Sequence, residues 1–247
     1  MTLEDFFALH RKAALAFSGG VDSAYLLYEA VKNKADVKPF MVKTAFVPEF
    51  AVKDAVNIGK MLGTDAEIIE LDILNTADIC DNTNMRCYFC KSVMLGAVKA
   101  AAKKEGYNLI IDGTNADDNA AERPGMAAAK ELGVISPLKE CGISKSEIRR
   151  LSKEAGLFTW DMPSYSCLAT RIHQGEKITS EVLKKVEKSE SLLFKLGFSD
   201  FRVRVYNGAA RIQIKKEQLP LIIENREEIL NNLKPMFDDV LLDLNTR

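Results

Sequence analysis

Short apolar runs alternate with amphipathic stretches from residue 13 to about residue 160. Ala13–Phe17 is an unbroken apolar run of strand length, and a glycine turn follows it. Helical spacing then appears at Ala24, Leu27, Tyr28 and Val31. The same reading predicts strands over Pro39–Phe46, Glu67–Leu71 and Leu109–Asp112, and helices over Val52–Leu62, Cys90–Lys104 and Ser144–Ala155. Gly63 stands in the stop position of the first of these helices, and Ser144 with Glu147 has the spacing of a capping box. Strands that alternate with helices require crossover connections. The expected fold is therefore α/β, with a doubly wound, mainly parallel sheet.

Past Trp160-Asp161-Met162-Pro163 the rhythm changes to an α-β-β-α-β tail. It comprises a helix over Ser180–Leu196, strands over Phe201–Tyr206 and Ala209–Ile214 joined by Asn207-Gly208, a helix near Leu219–Leu233 and a strand near Asp239–Leu244. This places a boundary near residue 170, with residues 1–170 in the α/β domain. Residues 171–247 would form a small α+β domain that binds substrate and supports a homo-oligomer. A two-residue turn pairs Tyr206 with Ala209, which sets Phe201, Val203 and Val205 against Ile214, Ile212 and Ala210 on one face. On the other face Arg204 falls opposite Arg211, with Arg202 two residues along. Like charges directly opposite cost a hairpin some tenths of a kcal/mol to about 1 kcal/mol. A phosphate held by the guanidinium forks would reverse that sign, so Arg202 and Arg204 are candidate phosphate ligands, with Arg211 as a further one. The alternative is a solvated arginine face.

Composition narrows the class. The 247 residues are 47% hydrophobic and 28% charged, as in ordinary globular chains. A chain of this length buries roughly 70–75% of its unfolded surface without disulfide support. No apolar run approaches the roughly 18 residues of a spanning helix, and Met1–Asp5 opens with acid, unlike a secretory signal. A cytoplasmic protein with no membrane partner is expected. Net charge is −1, and residues 176–247 hold 13 Lys/Arg against 12 Asp/Glu, which argues against a nucleic-acid partner.

The chemistry begins at Phe17-Ser18-Gly19-Gly20-Val21-Asp22-Ser23, between the first strand and the first amphipathic helix. Backbone N–H groups and a helix N-terminus gathered in such a turn suit a phosphate group. Neither Gly-Lys-Ser/Thr nor Gly-x-Gly-x-x-Gly is present. The segment resembles the Ser-Gly-Gly-x-Asp-Ser pyrophosphate loop of ATP pyrophosphatases. That resemblance implies cleavage of ATP between its α and β phosphates, with Ser18, Gly19, Gly20 and Ser23 gripping the pyrophosphate and Asp22 beside the Mg2+ that neutralises it. Thr44, after the second strand, and Gly113, in Asp112-Gly113-Thr114-Asn115-Ala116-Asp117-Asp118, are read as facing the nucleotide. Arg123, in Glu122-Arg123-Pro124-Gly125, is a weaker phosphate candidate.

Five cysteines fall into two groups. Cys87 and Cys90 form a C-x-x-C just before a predicted helix, and Cys167 lies in Pro163–Arg171. Three thiolates match an iron–sulfur cluster with one iron lacking a protein ligand; zinc with His173 as fourth ligand, or three free thiols, are the alternatives. Arg86, Lys91 and Arg171 flank these cysteines and would either favour thiolate or serve as ordinary surface charges. Cys80 and Cys141 read as small apolar residues.

Taken together, the loop, Arg86–Lys91, Asp112–Asp118 and Pro163–Ile172 resemble the LarE family of ATP-dependent sulfur transferases over nearly the whole chain. The resemblance implies a small mononucleotide substrate, pyridinium biscarboxylic acid mononucleotide, whose carboxylates are adenylylated and become thiocarboxylates for a nickel-pincer cofactor. It also implies either a sacrificial Cys167 or, with all three cysteines, a 4Fe–4S cluster on Cys87, Cys90 and Cys167 that delivers the sulfur. Nothing in the sequence identifies the sulfur donor that replenishes it. A tRNA thiolase and a zinc-stabilised nucleotide-binding module are the competing readings.

Overall fold

The computed structural model describes residues 1–119 and 124–245. It divides into two units, one of Met1–Ile73 with Met85–Met162, the other of Leu74–Asn84 with Pro163–Arg247. The chain therefore passes between units after residues 73, 84 and 162. The last passage lies about eight residues before the boundary read from the sequence.

In the first unit α1 (Leu3–Leu9) leads into β1 (Lys12–Ala16), α2 (Val21–Lys32), β2 (Asp36–Lys43), α3 (Glu49–Met61) and β3 (Glu67–Glu70). After α4 (Ala77–Cys80), which belongs to the second unit, come α5 (Arg86–Lys104), β4 (Ile110–Asp112), α6 (Pro124–Glu131), α7 (Pro137–Glu140) and α8 (Lys145–Glu154). The four strands are all parallel, in the order β3-β2-β1-β4. Parallel strands carry helices on both faces, so both sides of β1 must be apolar. They are: Ala13 and Leu15 pack with Phe6, Leu27, Ile58, Leu138 and Ile148 from the α1, α2, α3, α7 and α8 side, while Ala14 packs with Phe40, Val98 and Ala102 on the α5 side. Each fully buried Phe or Leu among them contributes roughly 1.5–3 kcal/mol by leaving water.

The expected α/β class and its parallel sheet stand, with element ends displaced by a few residues. One displacement matters. The helix expected from Cys90 begins at Arg86, because no proline or glycine interrupts Arg86–Cys90, so the C-x-x-C lies at the start of α5 and not ahead of it.

The second unit contains α9 (Ser180–Lys195), β5 (Arg202–Tyr206), β6 (Ala209–Gln213), α10 (Leu219–Glu224), α11 (Arg226–Leu233) and β7 (Val240–Leu242). β5 and β6 are antiparallel in the register read from the sequence, Arg204 opposite Arg211 and Tyr206 opposite Ala209, and β7 adds parallel to β6. Asn207 and Gly208 both take positive φ, 47° and 78°, as a type I′ turn requires. The helix expected over Leu219–Leu233 is broken at Asn225, whose φ of −102° and ψ of 13° close α10 and open α11.

Candidate functional site: a pyrophosphate loop and its charged surround

Ala16 of β1 lies between Phe40 of β2 and Asp112 of β4. The glycine turn thus leaves the sheet where the strand order reverses, the position at which open α/β sheets bind ligands. Two glycines are needed for this turn to fit. Gly19 has φ 71°, and a Cβ there would stand 2.9 Å from the Ala55 backbone nitrogen in α3. Gly113 follows β4 so closely past α2 that a Cβ would stand 2.9 Å from the Ser23 nitrogen and 3.1 Å from its Cα.

The loop folds on itself through its serines. Ser18 N–H donates to Ser23 Oγ at 3.3 Å, Gly20 N–H to Ser18 Oγ at 3.4 Å, and Ser23 Oγ–H to the Gly20 carbonyl at 3.2 Å. Gly20 caps α2 without a side-chain bond, and Asp22 is the acid of that helix's first turn. An N-terminus of a 12-residue helix with no side-chain cap, beside a folded glycine turn, suits an anion.

The surround is only partly legible in the sequence. Asp22 Oδ2 pairs with Lys145 Nζ at 2.5 Å, and its Oδ1 accepts from Asn115 Nδ2 at 3.3 Å. Lys145 escapes sequence reading because it lies 123 positions away. A faint signal exists: it is the first residue of α8, where the helix dipole disfavours a cation. Asp112 is buried and accepts from Thr114 N–H, Thr114 Oγ1, Ser136 Oγ and, at 3.4 Å, Lys91 Nζ. Asp117 Oδ2 accepts from the Lys145 N–H, and Asp118 Oδ2 from the Asn115 N–H. All three carboxylates of this segment shape the turn. Thr44 is buried, and its hydroxyl accepts from Phe46 N–H to form the bend after β2. Arg123 lies outside the described residues.

Cys87 and Cys90 are three residues apart on α5, the first exposed and the second partly so, with Arg86 Nη2 at 3.5 Å from Cys87 Sγ. Cys167, in the second unit, opens a short 3₁₀ turn, and its carbonyl accepts from Thr170 N–H and Oγ1. Among the described residues no group of three or more His, Cys, Asp or Glu side chains is arranged to hold a metal ion. His173 Nδ1 lies 2.9 Å from the Gln174 carbonyl. The Cys80 thiol is buried and donates to the Leu74 carbonyl, and burial pushes the Cys141 thiol up.

Of the arginines, Arg171 is 0% exposed and bonded through Nε to Glu190 Oε1 at 2.7 Å. Its Nη1 also donates to Ser166 and Thr170. Arg202 is buried and donates to the Phe201 and Ser164 carbonyls. Arg204 donates to Gln213 Oε1 and the Thr170 carbonyl, while Arg211 lies 3.4 Å from Asp243. The facing guanidiniums of Arg204 and Arg211 are thus separated by a Gln213–Asp243 bridge.

No family model matches the chain. It is 38% identical over 226 residues to an uncharacterised protein of Synechocystis sp., covering 90% of this chain and 84% of that protein. It is 27% identical over 237 residues to the pyridinium-3,5-bisthiocarboxylic acid mononucleotide synthase of Lactiplantibacillus plantarum, covering 95% of this chain and 86% of the synthase. Over nearly its whole length the chain is thus similar to a LarE-type synthase. A third relative, the tRNA-specific 2-thiouridylase MnmA of Thermotoga maritima, is 26% identical over 189 residues, 59% of this chain and 52% of that protein. The LarE likeness spans both units, whereas the thiouridylase likeness stops well short of the full chain. Among the described residues no helix is long and apolar enough to cross a membrane.

Proposed function

We propose that this chain is a LarE-type, ATP-dependent sulfur insertase acting on pyridinium-3,5-biscarboxylic acid mononucleotide. The observation that carries this reading is the serine–glycine loop at the switch point of a parallel sheet, in a chain that matches the bisthiocarboxylic acid mononucleotide synthase along 95% of its length.

Ser18, Gly19, Gly20 and Ser23 hold the β and γ phosphates, and Asp22 faces Mg2+. A substrate carboxylate oxygen attacks the α-phosphorus, the α–β bond breaks, and pyrophosphate leaves. The acyl adenylate makes the next substitution feasible, since AMP is a far better leaving group than oxide. Sulfide attacks the acyl carbon and AMP departs, leaving a thiocarboxylate. Arg202 and Arg204 belong to the substrate-phosphate side of this reading. Cys87, Cys90 and Cys167 are proposed as ligands of a 4Fe–4S cluster. Such a cluster would supply an iron without a protein ligand, able to present the sulfur.

Anaerobically prepared protein given ATP and the dicarboxylate mononucleotide should release pyrophosphate and AMP, contain iron and acid-labile sulfide, and keep Cys167 intact by mass spectrometry after turnover. ADP as product overturns the ATP chemistry. Iron-free protein whose Cys167 loses the mass of hydrogen sulfide overturns the cluster in favour of a sacrificial cysteine.

A further inference from the structure

Both carboxylate oxygens of Asp22 are engaged by protein donors, Oδ2 by Lys145 and Oδ1 by Asn115. Asp22 therefore gives an oxygen to a cation only if one partner yields, and the two partners differ in how readily they do so. Asn115 is buried, its N–H is held by Asp118 and its Oδ1 accepts from Asp117 N–H. Moving it would dismantle the turn after β4. Lys145 is anchored through its backbone, by its own N–H to Asp117 and by the Ser144 cap of α8, while its ammonium sits at the end of a flexible stem with 29% of the side chain exposed. A lysine can swing its head without disturbing any of those anchors.

The placement is also electrostatically odd. Lys145 opens α8, where the dipole is positive, and so gains nothing from its own helix. What stabilises its ammonium there is Asp22. Nearby cations have other commitments: Lys139 Nζ donates to the Asp118 carbonyl at 2.7 Å, and Lys91 Nζ faces Asp112.

Resting on the nucleotide reading above, we propose that Lys145 is an exchangeable counter-ion: it neutralises Asp22 in the empty site, yields that carboxylate to a divalent cation, and turns its ammonium to the phosphates of the incoming nucleotide. One side chain then serves two states. It keeps an anionic Asp22 from repelling pyrophosphate before a metal arrives, and it adds a donor once the metal is in place.

The exchange makes effects of opposite sign on two ligands, which a merely structural lysine does not. Lys145→Met should tighten binding of Mn2+ alone by about twofold to fivefold, since a competing partially exposed ion pair is removed. The same variant should weaken pyrophosphate binding in Mg2+ by about 10–100-fold, the loss of one charged hydrogen bond. Both are read by titration calorimetry on the full chain. Asp22→Asn, which releases the ammonium, should strengthen pyrophosphate binding measured in a chelator, and Asp22→Asn/Lys145→Met should lose that gain. If Lys145→Met does not fold, the Asp22→Asn measurement decides alone: no gain overturns the exchange. Unchanged Mn2+ and pyrophosphate affinities in Lys145→Met overturn it likewise, with the nucleotide reading intact. If the unsubstituted protein binds no pyrophosphate in Mg2+, it is the nucleotide reading that falls.

Discussion

Two ion pairs, one in each unit, are built for opposite purposes. Asp22–Lys145 keeps 23% and 29% of its side chains exposed, and each partner's grip on the other is a single contact. Arg171–Glu190 is exposed by 0% and 2%. Glu190 there accepts from Arg171 Nε and Nη2, from the Tyr165 hydroxyl and from Val203 N–H. The Arg171 and Arg202 guanidiniums both lie on the Tyr165 ring, at 4.6 and 5.1 Å from its centroid. A partly wet pair is worth at most about 1 kcal/mol and exchanges readily. A dry, fully hydrogen-bonded pair cannot lose a member without stranding a charge. Arg171 and Arg202 also donate to Ser166, Thr170 and Ser164, so the second network fixes the very segment that carries Cys167. The pair beside the glycine turn is one that exchanges partners readily, and the Cys167 segment is clamped.

The sharpest way to break this contrast is Glu190→Ala, which should cost roughly 3–5 kcal/mol by leaving Arg171 buried and unpaired. Urea denaturation reads that loss, and a value below about 1 kcal/mol would mean that the clamp is no firmer than the exchangeable pair. Next in size is Gly113→Ala. Backbone stands 2.9 and 3.1 Å from the added methyl, so the first turn of α2 must shift, at roughly 1–3 kcal/mol of stability. Pyrophosphate affinity, measured on the folded variant, should fall with it. An unchanged affinity would show that the loop tolerates displacement and is not held by this approach.

The smallest effect separates wet from dry tyrosines. Burial and a hydrogen bond to Asp36 push Tyr107 up to about 12, while burial and Glu190 push Tyr165 higher still. A phenol whose pKa is raised by folding contributes stability that is complete below the unfolded value of about 10 and is lost as pH rises through the folded one. Alkaline titration of phenolate absorbance should therefore show Tyr107 ionising near the raised value and Tyr165 silent until the chain unfolds. Early ionisation of Tyr165 would count against a dry network.

Local signals make much of this legible. The Ala13–Phe17 run, the glycine turn and the Asn207-Gly208 register are all short-range patterns, and each folds where its pattern points. Pairings over long separations leave no such trace. Nothing near Arg171 announces that it is buried on Glu190, because that partner is 19 residues away on α9. Nothing near Asp22 announces Lys145. The sequence pattern sets the C-x-x-C ahead of its helix because Arg86–Phe89 carries weak periodicity, although no breaker stops α5 from starting there.

Residues 74–84 illustrate how such distant pairing governs assembly in time. Asn82 donates to the carbonyl of His173, Gly175 N–H donates back to Asn82, and Ile178 N–H reaches the Cys80 carbonyl. During synthesis, when chains emerge at about 5–20 residues per second, this segment waits several seconds or more for its partners. A ribosome paused before residue 172 would display Ile79 and Cys80, both buried in the finished protein, without the backbone that receives them. The second unit is thus begun early and completed late, and a polypeptide ended at Met162 would carry its first piece with nothing to join.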